Sequence, residues 1–183
     1  MAEKTLVITY NEDPEYRLSD LKPHEVKLLQ RVIEICQEAR DGGNHPFGCL
    51  LADDDGNILM EQGNGEVSLN GDCSAHAETL LMRKASQVYS KEEMAKLTMY
   101  NCAEPCAMCS GAMYWGNLGR MVYIGRESAL KEVTGDDIRN PTLDLPCRAV
   151  FARGQKNMVV QGPYLEMEPD FLKCHENYWN PST

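Results

Sequence analysis

The chain has 183 residues, with 18 Lys and Arg against 28 Asp and Glu and a formal net charge of −10. That length suits one domain with a proper core, and ten surplus negative charges disfavour a nucleic-acid partner held by phosphate contacts, because such proteins carry a basic footprint. No apolar run approaches the ~20 residues of a membrane-spanning helix, and Met1-Ala2-Glu3-Lys4 lacks the charged-then-apolar order of an export signal, so a cytoplasmic location is expected.

Residues 1–20 read as an N-terminal arm with one apolar run, Thr5 to Tyr10, as a short strand, and residues 21–183 as a single domain. From Pro23 the stripes Val26, Leu29, Ile33, Cys36 and Leu28, Val32, Ile35, Ala39 predict a buried helix ended by Gly42-Gly43. Two apolar runs, 47–52 and 58–62, flank Asp53-Asp54-Asp55-Gly56-Asn57 and predict a hairpin. After a loop to Cys73, Ala77, Leu80, Leu81, Ala85 and Val88 predict a helix, with Ser74 as its N-cap. A strand over 98–102 leads to a helix from Pro105 to about Trp115, then to a strand over 120–125 and a helix over 127–133. The late runs 148–152 and 158–161 read as strands, and a final helix runs from Pro169 towards Trp179. Strands alternating with helices after a helix and a hairpin define an α/β layered domain around one sheet.

Eight cysteines in a chain without an export signal read as reduced thiols, with Cys36 and Cys49 packed inside apolar segments. Cys106 and Cys109 differ, because their spacing places both sulfurs on one face of a helix at its N-terminus, where free N–H groups and the helix dipole favour thiolates. With His76 they make two thiolates and one imidazole, which balance the charge of zinc and leave a fourth, open position. Glu78, two residues from His76, is placed to take a proton from a water at that position. Two other readings stay open at this point: a closed structural zinc site completed by Cys102 or Cys73, and a redox pair, which leaves the His-x-Glu element unexplained. His24, His45 and His175 read as surface or core residues rather than ligands.

Pro46-Phe47-Gly48, Ala75-His76-Ala77-Glu78 and Glu104-Pro105-Cys106-Ala107-Met108-Cys109-Ser110-Gly111-Ala112 carry a resemblance to the cytidine and deoxycytidylate deaminase superfamily, in the branch of bacterial guanine deaminases and tRNA adenosine deaminases. It covers about Pro23 to Gly125. It implies a three-layer α/β/α sandwich with a central five-stranded mixed sheet, a homodimer, and one zinc per subunit held by His76, Cys106 and Cys109 with Glu78 as proton shuttle. It also implies substrate contacts: Asn64 on the ring, Ala77 within the ligand motif, and Phe47 stacking with a C-terminal aromatic, Tyr178 or Trp179, on a helix whose exchange between subunits the sequence leaves open. Asp137 resembles the second residue of an Asp-Asp pair whose carboxylate accepts guanine's N1–H and 2-amino group; otherwise it is a solvated turn carboxylate. The first twenty residues have no counterpart, and 139–183 match only loosely.

The leading expectation is hydrolytic deamination of a free nucleobase or small nucleoside, guanine to xanthine first, with isocytosine or cytosine as the alternative. A tRNA adenosine deaminase needs a basic surface, for which Arg148, Arg153, Lys156 and Lys173 are the available residues, offset by Glu166, Glu168 and Asp170. From a different class, a zinc-stabilised binding scaffold has no need of Glu78.

Overall fold

A computed structural model describes residues 16–143 and 145–179; the expected strand at Thr5–Tyr10 lies outside them. After a 3-10 turn at Leu18–Asp20, the elements are α1 (Pro23–Asp41), β1 (Gly48–Ala52), β2 (Ile58–Gly63), α2 (Ala77–Ala85), α3 (Lys91–Met94), β3 (Thr98–Ala103), α4 (Ala107–Gly116), β4 (Arg120–Gly125), α5 (Glu127–Thr134), α6 (Cys147–Phe151), β5 (Val159–Gln161) and α7 (Glu168–Lys173). They form one five-stranded sheet in the order β2-β1-β3-β4-β5. β1 is antiparallel to β2 and β3, whereas β3, β4 and β5 run parallel, so the sheet is mixed.

Alternation along the central strands assigns each face its helices. Leu50, Tyr100, Cys102, Val122 and Ile124 pack with α1, Leu130 of α5 and Phe171 of α7. Cys49, Leu51, Met99, Met121 and Tyr123 pack with α2, α4 and α6 on the opposite face. Strands buried on both faces read as continuous apolar runs, which is why β1 and β4 stand out in the sequence. The result is the α/β/α sandwich with a five-stranded mixed sheet.

The hairpin forms as expected: the Asp53 carboxylate accepts from the N–H of Asp55 and Asn57 and from Asn57 Nδ2, and Gly56 takes φ +86. Three expectations need correction, and one helix had no counterpart among them. The run 148–152 is helical, as α6, because Pro146 precedes its first turn and the N–H of Cys147 donates to Glu104 Oε1 at 2.9 Å; a short apolar run does not by itself separate a strand from a buried helix. Helix α2 starts after His76, not Ser74, whose hydroxyl instead donates to Asp72 at 2.6 Å, and it ends at Ala85, leaving Val88 outside it and exposed. The last helix stops at Lys173, because Asn177 adopts φ +56 and His175 and Trp179 turn into an aromatic cluster. Helix α3 was missed although Ser90-x-x-Glu93 is a capping box; four residues carry too little periodicity to register.

Between α1 and the sheet, buried Glu25 receives the Arg120 guanidinium, the Tyr100 hydroxyl at 3.0 Å and the Lys22 N–H at 2.8 Å. Burial raises the Glu25 pKa, but these donors outweigh it and hold the group below its ordinary value of 4.5. Because the folded pKa lies below the unfolded one, this carboxylate adds stability above the unfolded value and loses it as pH falls through the folded value. Arg120→Leu is expected to cost about 3 kcal/mol in denaturant unfolding at neutral pH. The deficit should shrink as the medium is acidified.

Candidate active site

The ligand-bearing residues sit where two helices begin. His76 occupies the N-cap of α2 and Cys106 the N-cap of α4, both in extended backbone, while Glu78 and Cys109 fall in the first turns. Helices α2 and α4 lie side by side, so the two N-termini converge. The His76, Cys106 and Cys109 donor atoms all lie within 4.8 Å of one another, and Nδ1 of His76 stands 3.6 Å from each sulfur. Tetrahedral zinc with bonds of about 2.3 Å to sulfur and 2.0–2.1 Å to nitrogen requires sulfur-to-nitrogen separations of about 3.6 Å. Both sulfur-to-nitrogen separations therefore match a shared zinc.

The electrostatics prepare the same set. Cys106 is pulled down to about 4, first by its hydrogen bond with Cys109 and then by His76, against burial that pushes it up. His76 is raised to about 9, chiefly by Cys106, although burial opposes this. The protein's own groups thus favour an anionic sulfur beside a protonated imidazole, and a divalent cation takes the place of that proton. Thr79 Oγ1 lies 3.3 Å from Cys109 Sγ and donates to it once the sulfur is a thiolate. Cys102 lies under the N–H of Gly48 at 3.2 Å, and Cys73 is exposed; among the described residues neither joins the metal-capable group.

Glu78 is buried, with Oε2 at 3.4 Å from Cys109 Sγ. Burial and then the nearby Cys106 push its pKa upward. Its carboxylate, His76 and Cys106 line one wall of a cavity of about 430 Å³, with Phe47 on another. The cavity lies beyond the carboxyl ends of parallel β3 and β4, where the loops bearing Glu104-Pro105-Cys106 and Arg126-Glu127 leave the sheet.

The remaining expected contacts fall elsewhere. Asn64 is buried, its side-chain oxygen accepts the Glu66 N–H at 2.9 Å, and it lines a separate open depression beside α2. Ala77 packs in the core with α2 and α4. The Asp137 carboxylate is gripped by Arg139 through Nε at 3.0 Å and Nη2 at 2.5 Å, and it stands off the cavity lining. Tyr178 and Trp179 also stand behind the wall: Tyr178 Oη meets His45 Nδ1 at 3.0 Å, Trp179 faces Phe47 at 6.3 Å, and Arg139 lies 5.4 Å over both rings. Their link to the cavity runs through Phe47 and Arg139, which do line it. His45 and His175 are buried among these rings, as core residues. Sequence reading overlooked Glu127, a cavity carboxylate raised to about 7 by burial and then by Cys106, Glu104 and Glu78. Its signal was its place, immediately after the strand parallel to the one that delivers Cys106.

A sandwich of this topology, with one imidazole and two thiols that could hold a zinc ion and a buried carboxylate at two helix N-termini, fits the zinc-type deaminases. The family model described as the cytidine and deoxycytidylate deaminase zinc-binding region matches residues 23–125, and the chain belongs to that family. It is 32% identical over 162 residues to a Schizosaccharomyces pombe protein named "Probable cytosine deaminase", covering 88% of this chain and 96% of that one. It is 33% identical over 114 residues to the Bacillus subtilis guanine deaminase, covering 62% and 72%; tRNA-specific adenosine deaminases are also among its relatives. A solved guanine deaminase from Nitrosomonas europaea shares the fold with a TM-score of 0.67 at 21% identity, covering 92% of this chain and 88% of that one. No helix among the described residues is long and apolar enough to cross a membrane.

Proposed function

We propose that this protein is a hydrolytic deaminase of a free nucleobase, with cytosine ahead of guanine, and that Glu78 shuttles the protons. The observation that carries this is the buried Glu78 carboxylate, 3.4 Å from Cys109 Sγ and facing a cavity of about 430 Å³. Zinc, when bound, supplies the Lewis acidity that makes the attacking water acidic enough near neutral pH. Glu78 takes a proton from that water and delivers it to the ring nitrogen beside the carbon under attack. The water's second proton leaves with the amine, so that amidine and water become carbonyl and ammonia. A raised pKa suits a carboxylate that must hold the proton between these steps. Phe47 offers the ring a stacking face.

Guanine led the sequence reading through Asp137. With its carboxylate taken by Arg139, that residue is not free to receive guanine's donors, and the relative matched along nearly its whole length bears the name of a cytosine deaminase. A tRNA substrate finds little support at three of the four basic residues considered for it, Arg153 being the exception. Arg148 donates to Tyr123 Oη and the Gly162 carbonyl, Lys156 to the Tyr114 carbonyl, and Lys173 to Asp170.

Ammonia release should be measured with cytosine, isocytosine, guanine, adenine and a tRNA anticodon stem-loop. Cytosine is expected to turn over fastest, with guanine or isocytosine next. Turnover of the stem-loop alone would refute the free-base reading.

A further inference from the structure

The cavity that His76, Glu78 and Cys106 line is also bounded by Glu127 at the start of α5 and by Asn140 and Thr142 in the loop that follows it. Asn140 Nδ2 and Thr142 Oγ1 are buried and have no hydrogen-bond partner. The Glu127 carboxylate likewise makes no hydrogen bond or ion pair among the described residues. Buried polar groups left unmade are costly, so two of them lining one cavity beside the half-buried Glu127 carboxylate point to a ligand that completes them. The other buried orphans, on Asn101, Tyr164 and His175, lie off the cavity and say nothing about its contents.

Resting on the free-base reading above, we propose that Glu127, Asn140 and Thr142 read the lactam edge of the substrate, a ring N–H beside a carbonyl. The Glu127 carboxylate accepts the N–H, while Asn140 Nδ2 and the Thr142 hydroxyl donate to the carbonyl oxygen. In cytosine this is the N1–H and C2=O edge, on the side of the ring away from the amino-bearing carbon that must face Glu78. The edge excludes adenine, which has no carbonyl, and cytidine, whose N1 carries the sugar in place of a proton. A site built to pair a substrate N–H rejects the analogue that lacks it far more strongly than an apolar wall does.

Uracil has this edge and no amino group to react, so binding can be read apart from turnover. Calorimetry on the zinc-loaded protein is expected to show uracil bound at least ~10-fold more tightly than 1,3-dimethyluracil, which keeps both carbonyls but has no ring N–H. Glu127→Ala should bring the two within about twofold of each other, whereas Thr142→Val should weaken both by a similar factor, because the carbonyl survives methylation. Asn140→Asp, which exchanges the donor for an acceptor, should weaken uracil by at least ~10-fold and keeps the test alive if Glu127→Ala does not fold. No preference for uracil in the parent, or a preference that persists in Glu127→Ala, would overturn the proposal. The same holds for cytosine turnover with unchanged KM in a folded Glu127→Ala, which leaves the deaminase reading intact. A uracil preference lost in Glu127→Ala, in a protein that turns over no base at all, would support the edge and refute the deaminase reading.

Discussion

Glu78→Gln is expected to keep about one zinc per chain while losing at least ~10²-fold in kcat, the low end of what a positioned acid-base group contributes. The amide preserves the shape of the carboxylate, and Glu78 is not one of the three clustered donors, so metal content should not move. What disappears is the capacity to hold a proton at Oε2, beside Cys109 and within reach of the cavity. The measurement pairs zinc analysis with steady-state rates on the preferred base. A variant as active as the parent would remove the proton shuttle. A variant that lost its zinc would make Glu78 a ligand, and the fourth position would no longer be open.

Cys109→Ala should abolish activity and weaken zinc by well over ~10²-fold, beyond the ~10–100-fold that altering an outer hydrogen-bond partner of a ligand costs. Cys109 is fully buried between α2 and α4 and meets both His76 and Thr79, so its loss leaves two donors and an unfilled space where the helices converge. Chelator titration read by thermal melting gives the check. The parent's melting temperature should fall as zinc is withdrawn, whereas that of Cys109→Ala should already be low and indifferent to chelator. Cys73→Ala is the matched control, since Cys73 is exposed and outside the donor cluster, and it should retain zinc fully. Equal zinc affinity in Cys109→Ala and the parent would dismiss the three-ligand centre.

Most strands and helices were legible because apolar spacing and terminators are local. Pro23 and Gly42-Gly43 bracket α1, and Asp53 to Asn57 closes the hairpin with its own side chains. The sheet order was not legible in that way. It follows from β3 taking β1 on one side and β4 on the other, a choice made by packing α1 against one face and α2 with α4 against the other. The same non-local packing turned 148–152 into a helix under Glu104 and stopped the last helix at Lys173, where burying aromatic rings outweighs a few more helical residues.

What the sequence determined by itself was the metal chemistry. Cys106 and Cys109 are three residues apart, so chain geometry alone puts two sulfurs on one face, and the His76-x-Glu78 motif supplies an imidazole and a carboxylate in one short segment. Only the tertiary structure decided which residues meet across the cavity. Asn64 and Asp137 were drawn to other partners, Tyr178 and Trp179 were set behind Phe47 and Arg139, and Glu127, Asn140 and Thr142 came to line the cavity that His76, Glu78 and Cys106 also line. Those placements depend on how separate strands and loops converge at the carboxyl edge of the sheet, and no spacing within a single segment encodes that convergence.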